Sequence, residues 1–267
     1  MDLSRPKIMG VLNVTPDSFS DGGKFNQQDS ALKQALEMIE QGASIIDIGG
    51  ESTRPGAAKV SEQEELDRVM PVVRQLRENS DVYISLDTST PAVMSEGLSQ
   101  GVAMVNDVRA FQRAGAIEAV RNSDALLCVM HMQGEPDSMQ DAPAYGGVVE
   151  DVKAFLRERL VALQAAGVQK SRVLLDPGFG FGKTLEHNYS LLKHLNEFEQ
   201  LGVPVLVGMS RKSMIGGILN KPVEERLVGS VAAALLALER GASILRVHDV
   251  APTMDALKIW SATQAAT

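Results

Sequence analysis

Nearly every short apolar run in this chain ends on a residue able to do chemistry: Asn13, Asp47, Asp87, Asn106, His131, Asp176, the group Ser210-Arg-Lys-Ser213, and Arg246 with His248. The most developed case is Val173-Leu-Leu-Asp-Pro-Gly-Phe-Gly-Phe-Gly-Lys183. Three apolar residues lead into Asp176, Pro177 stops the strand, and glycines at 178, 180 and 182 let the following backbone approach a ligand closely. An ordinary strand end accounts for any one of these residues, but not for one on strand after strand. Carboxylates and amides suit the hydrogen-bonding edge of a ligand. Arg211, Lys212, Arg246 and His248 suit an anion. Period-two alternation puts Arg246 and His248 on one strand face with Ile244.

Other motifs narrow the chemistry. The Gly-Lys-Thr at 182–184 is not a nucleotide phosphate loop, because that motif needs glycine where Pro177 stands, and Asp176 would repel phosphate. The glycine spacing also fails as a dinucleotide fingerprint. The first polar loop, Asn13 to Gly23, carries a lone aromatic, Phe19, at its tip. A solvated loop explains it less well than a segment that closes over a ligand. A second loop, Gly49 to Gly56, places Thr53 and Arg54 beside Pro55. The Ser210-Arg-Lys-Ser213 group leads into a helix start, where free N–H groups bind anions. His187 and His194 read as surface residues of one helix, and no Cys/His spacing suits zinc. The expected metal arrangement is a hard cation on Asn13 and on phosphate oxygens of a substrate.

The elements that must position these residues alternate strictly. Strands are predicted at 8–14, 44–49, 82–87, 103–108, 126–132, 172–176, 203–208 and 244–250. Helices are predicted at 30–41, 62–78, 91–100, 114–122, 148–166, 187–201, 223–240 and 253–262. The strands are nearly continuous in apolar residues, as parallel strands covered on both faces are. Glycines 42, 101, 167, 202 and 241 sit at helix C-termini, Ser61 with Glu64 reads as a capping box, and Pro91 follows Thr90 as a helix-first proline. Eight β–α alternations predict an α/β fold, a single-domain (β/α)8 TIM barrel over 1–267, with its site at the C-terminal strand ends. A doubly wound sheet is the runner-up, but no Pro/Gly/Ser-rich boundary marks a second domain.

Bulk properties exclude some partners. The 267 residues carry 44% hydrophobic and 22% charged residues and a net charge of −8, which argues against nucleic acid. The single cysteine, Cys128, lies in an apolar run and suits a reducing cytoplasm. The longest apolar run, 231–238, is too short to span a bilayer, and no secretory signal is read at the start.

The chain resembles the dihydropteroate synthase family, the folate-pathway enzymes targeted by sulfonamides. The resemblance covers nearly the whole chain and is carried by five segments: 9–23, 47–56, 176–183, Gly208-Met-Ser-Arg-Lys-Ser213 and Arg246-Val-His-Asp249. It implies condensation of 6-hydroxymethyl-7,8-dihydropterin pyrophosphate with para-aminobenzoate by a Mg2+-using homodimer. It further implies that Asp87, Asn106, Met130, Asp176, Phe181, Gly208, Lys212 and Arg246 hold the pterin. Asn13, as metal ligand, would face pyrophosphate with Thr53, Arg54, Arg246 and His248. Phe19, Thr53, Pro55, Lys212 and Ser213 would hold para-aminobenzoate. Lys212, Arg246 and His248 are the catalytic candidates, and Asp47 would stand behind them. The alternative in another class is a pterin-binding methyltransferase domain feeding a corrinoid, which would need no pyrophosphate pocket. A non-catalytic pterin-binding protein is a third reading.

Overall fold

The computed structural model describes residues 1–15, 24–52, 60–135 and 138–266, with 24–27 as backbone only. Eight strands close a parallel barrel in chain order: β1 (Lys7–Asn13), β2 (Ile45–Gly49), β3 (Tyr83–Asp87), β4 (Met104–Asp107), β5 (Leu126–Met130), β6 (Val173–Asp176), β7 (Val205–Val207) and β8 (Ala242–Val247), with β8 pairing back to β1. Around it run α1 (Lys24–Glu40), α2 (Glu62–Asn79), α3 (Pro91–Ser99), α4 (Ala116–Val120), α5 (Val148–Ala165), α6 (Leu185–Lys193), α7 (Ser213–Leu219), α8 (Leu227–Leu238) and α9 (Val250–Ala265). This is the predicted single (β/α)8 barrel.

Strand alternation separates two cores. Outward residues such as Ile46, Ile48, Val105, Leu245 and Val247 join the large cluster between strands and helices. Inward residues Met9, Ile45, Met104, Cys128, Leu174, Leu206 and Ile244 form a second, smaller cluster inside the barrel. Moving two residues along each strand keeps the side chain on the same face. Two residues beyond that inner apolar layer lie Asp47, Asn106, Met130, Asp176, Gly208 and Arg246, and β3 contributes Asp87 two residues beyond buried Ser85. The same alternation that fills the barrel floor thus turns a polar ring upward at its C-terminal mouth. Pairing fixes the height of the ring, setting Asn13 opposite Gly49, Gly49 opposite Asp87, and Asp87 opposite Asn106.

Several boundaries differ from expectation. α1 begins six residues early, and the predicted sixth helix keeps α-form only to Lys193 before a 3-10 stretch, Leu195–Leu201, ended by Gly202 at φ +66°. α7 is an added short helix in the loop after β7. The Ser61 hydroxyl accepts the Glu64 N–H at 3.3 Å, but the Glu64 carboxylate pairs with Arg68, so the reciprocal half of that box is not formed. A complete capping box occurs at Thr184 and His187, with the imidazole Nδ1 accepting the Thr184 N–H at 3.2 Å. His194 closes α6 with Nδ1 2.9 Å from the Ser190 carbonyl, so both histidines do capping work at a helix end.

Candidate active site

Three inward carboxylates and two cations converge on the barrel mouth. Arg246 forks between β2 and β3, donating through Nε to Asp47 Oδ2 at 2.6 Å and through Nη2 to Asp87 Oδ2 at 2.7 Å. Burial alone would weaken the guanidinium, but Asp47 and Asp87 outweigh it and hold its pKa above the ordinary value. Desolvation pushes the Asp87 carboxyl up while Arg246 opposes the shift, and the direct contact holds the pair as carboxylate and guanidinium. Asp47 is fully buried and accepts a second bond from Asn106 Nδ2 at 3.3 Å. Asp47 Oδ1 and Asn106 Oδ1 are buried with no hydrogen-bond partner among the described residues. Groups of that kind are costly unless a ligand or water meets them.

On the opposite side, Asp176 is 4% exposed, and its Oδ1 accepts the Gly178 N–H at 2.7 Å. Desolvation raises its pKa, with Lys212 the first opposing charge. The glycines here are obligatory: a Cβ on Gly178 would lie 1.8 Å from the His131 carbonyl oxygen, and one on Gly182 would lie 2.4 Å from that of Gln133. Lys212 reaches across from β7's loop, donating to the Phe179 carbonyl at 2.6 Å and standing 4.6 Å from the centre of the Phe181 ring. Desolvation brings its ammonium down to about 8, against the pull of Asp176. At Gly208 a Cβ would stand 3.7 Å from Arg246 and 3.9 Å from Lys212 Nζ, so bare backbone separates the two cations. Met130, 4% exposed and paired with Asp176 across β5 and β6, walls the same space.

The rim is more open. Asn13 ends β1, half-buried, with its Oδ1 3.9 Å from where a Cβ on Gly49 would lie. His248 lies exposed just past β8, its Nδ1 3.1 Å from Ser210 Oγ. Desolvation, then Arg246, holds its pKa below the ordinary imidazole value. Ser213 is exposed at the first turn of α7. Phe19, Thr53, Arg54 and Pro55 lie outside the described residues.

Two expectations need correction. Arg211 does not join the cation cluster: at φ +58° it turns away and makes two bonds to Asp249, at 2.8 and 2.6 Å. His131 is not on the ligand side. It is 6% exposed, packs edge-on against Phe155 at 5.0 Å and meets Lys183 Nζ at 2.9 Å. Lys183 itself, 3% exposed, also donates to the carbonyls of Gly178 at 2.8 Å and Phe181 at 2.9 Å. It is the clasp of the glycine loop, and its place in a Gly-Lys-Thr triplet offered no hint of that.

Residues 9–248 match the model of a family described as pterin binding enzyme. The chain is similar to the dihydropteroate synthase of Haemophilus influenzae, 56% identical over 263 residues, which are 98% of this chain and 96% of that one. Among solved structures it is similar to Yersinia pestis dihydropteroate synthase with a sulfonamide drug, at TM-score 0.95 and 54% identity, over 100% of this chain and 97% of that one. It is also similar to the Xanthomonas albilineans dihydropteroate synthase in complex with 7,8-dihydropteroate, at TM-score 0.92 and 46% identity, over 100% and 97%.

Proposed function

The chain belongs to the dihydropteroate synthase family of pterin-binding enzymes, transferases of folate synthesis, and from that premise we propose how its residues divide the work. The reaction joins 6-hydroxymethyl-7,8-dihydropterin pyrophosphate to para-aminobenzoate. The bond from the pterin methylene carbon to the pyrophosphate oxygen breaks, pyrophosphate leaves with the electron pair, and the amine nitrogen bonds to that carbon and loses a proton.

One observation supports this assignment above the others: Asp87, Asn106, Asp176, Lys212 and Arg246 meet at one level of the barrel mouth, above a sealed apolar layer. The pterin 2-amino group and ring N–H form a donor pair that one carboxylate accepts, and Asp176 is that carboxylate. Asp87 and the unpartnered Asn106 oxygen take the remaining ring donors. Lys212 donates to the pterin carbonyl and ring nitrogen, between the walls made by Met130, Phe181 and Gly208. Arg246 covers the ring face and reaches the leaving group, with Asp47 behind it fixing its fork. Charge builds on pyrophosphate as the C–O bond breaks, so Arg246, His248, Thr53 and Arg54 accelerate the step by meeting it there. Phe19, Thr53, Pro55, Lys212 and the Ser213 backbone hold para-aminobenzoate.

Asn13 offers one neutral oxygen at the rim, which fits Mg2+ carried mainly on phosphate oxygens and water rather than a dedicated cage. When bound, the ion neutralises charge on the leaving pyrophosphate. The loops that carry Thr53, Arg54, Pro55 and Phe19 serve both the anion and the second substrate. Para-aminobenzoate binding should therefore be weak to free enzyme and strong once pterin, pyrophosphate and Mg2+ are present. Equilibrium dialysis of labelled para-aminobenzoate with and without those ligands tests the order, and pyrophosphate release on mixing both substrates tests the reaction. Equal binding in both cells would remove the gating role. A protein that binds pterin but releases no pyrophosphate would favour the methyltransferase-like alternative.

The assembly we infer is a homodimer on the late helices. Ile218 on α7, Val228 and Leu236 on the alanine-rich α8 and Ile259 on α9 are 60%, 79%, 45% and 72% exposed. Light scattering at micromolar concentration should give twice the chain mass, and a monomer there ends the idea. The buried single cysteine fits a reducing cytoplasm. No helix among the described residues is long and apolar enough to cross a membrane.

A further inference from the structure

His248 is held by a hydroxyl from the neighbouring strand loop. Ser210, 6% exposed, accepts the His248 backbone N–H on Oγ at 3.2 Å, and the same oxygen lies 3.1 Å from the ring Nδ1. The two segments are also tied together beside this contact. The Arg211 N–H donates to Ser230 Oγ at 2.9 Å, and the Arg211 side chain grips Asp249, the residue after His248.

A hydroxyl has one proton to give and can accept two. One acceptor position of Ser210 is taken by the His248 amide. Among the described residues, the imidazole Nδ1 is the only acceptor within its reach. With the O–H aimed at Nδ1 that nitrogen is unprotonated, and a neutral ring in that state carries its proton on Nε2. We propose that Ser210 is a positioning residue that fixes His248 as the Nε2–H tautomer, so that an N–H donor rather than a lone pair faces the anionic leaving group. The catalytic half of this proposal rests on the assignment of His248 to the pyrophosphate pocket. The tautomeric half does not.

The experiment is 15N NMR of the histidine side chains in the full-length protein at pH 7.5, together with steady-state kinetics. The chain has only 4 histidines. Two of them are internal standards: His187 accepts an N–H on Nδ1 and must be Nε2–H, whereas His194 donates from Nδ1 to a carbonyl and must be Nδ1–H. Wild-type His248 should match His187. Ser210→Ala should shift it to a mixture between the two standards and lower kcat about tenfold, the lower end of the usual cost of losing a partner that orients a histidine. The KM for para-aminobenzoate should move little. Ser210→Thr, which keeps the hydroxyl, should restore both tautomer and rate, and unchanged His131 and His187 signals certify the fold of each variant. A wild-type ring that matches His194, or a Ser210→Ala ring that stays wholly Nε2–H, overturns the proposal. A tautomer that shifts while turnover does not would overturn the catalytic half and remove His248 from the leaving-group pocket.

Discussion

Replacing Arg246 by alanine should slow turnover by about 10²-fold or more, the scale of losing one preorganised donor at a developing charge. It should also weaken pterin binding, because in the role proposed for it the same guanidinium would cover the ring. The loss has a second source inside the barrel. Asp47 is fully buried and the Asp87 side chain is 14% exposed, and both use Arg246 as their cation, at 2.6 and 2.7 Å. Removing one partner of such a buried pair costs about 3–5 kcal/mol, because the remaining charges are left uncompensated. The variant should therefore also unfold at lower temperature. Arg246→Lys separates the two effects: it keeps a positive charge but cannot fork to two carboxylates, so it should recover stability better than rate. Asp47→Asn should be milder in turnover, since an amide oxygen still accepts from Arg246 Nε. Initial-rate measurements with a thermal melt on each variant decide it. A folded Arg246→Ala enzyme turning over at the wild-type rate would misplace the leaving-group pocket.

Asp176→Asn should weaken pterin binding by about 2–4 kcal/mol, from one lost charge-assisted bond and one buried donor facing a donor. The structure shows which atom makes the mismatch. Oδ1 is engaged by the Gly178 N–H at 2.7 Å, and an asparagine would keep its oxygen there because the amide nitrogen cannot accept that proton. Its NH2 would then occupy the place of the second carboxylate oxygen, facing the ring N–H. The glycine loop should keep its shape in the variant, since Lys183 holds it through the Gly178 and Phe181 carbonyls. Titration calorimetry with a pterin is the measurement, and unchanged affinity in a folded variant takes Asp176 out of the ring-reading role.

The barrel was legible because four of its strands, β2, β4, β6 and β8, repeat one instruction. An inward apolar residue is followed two positions later by an inward polar one, as in Ile45 and Asp47, Met104 and Asn106, or Ile244 and Arg246. Period-two alternation and glycine-ended helices are local, so one sequence suffices to read them. Partner choice is not local. Arg246 meets Asp47 across 199 positions, and no single-chain pattern pairs them. The sequence also suggested two cations after β7, but the left-handed turn at Arg211 sends one of them out to Asp249. A positive φ at an arginine has no sequence signature, because tertiary bonds impose it. Lys183 was hidden for a similar reason: its role depends on carbonyls that only the folded glycine loop brings together. Ser210 was visible in its motif, but its hold on His248 needs two neighbouring strands in register.

The apolar layer under the site also determines how the protein can be handled. Its only cysteine, Cys128, sits there fully buried, and desolvation, then Asp176, raises its thiol well above the ordinary range. Thiol reagents act through the thiolate, so the native chain is effectively blind to maleimides and iodoacetamide while it stays folded. A reporter cysteine placed anywhere on the outside is then the one that reacts, with no background to subtract and no native residue to remove. Placed at Val228, which is 79% exposed, a fluorophore would report whether a second subunit covers α8. Conversely, modification of Cys128 itself should report opening of the barrel, because its thiol is fully buried in the folded chain.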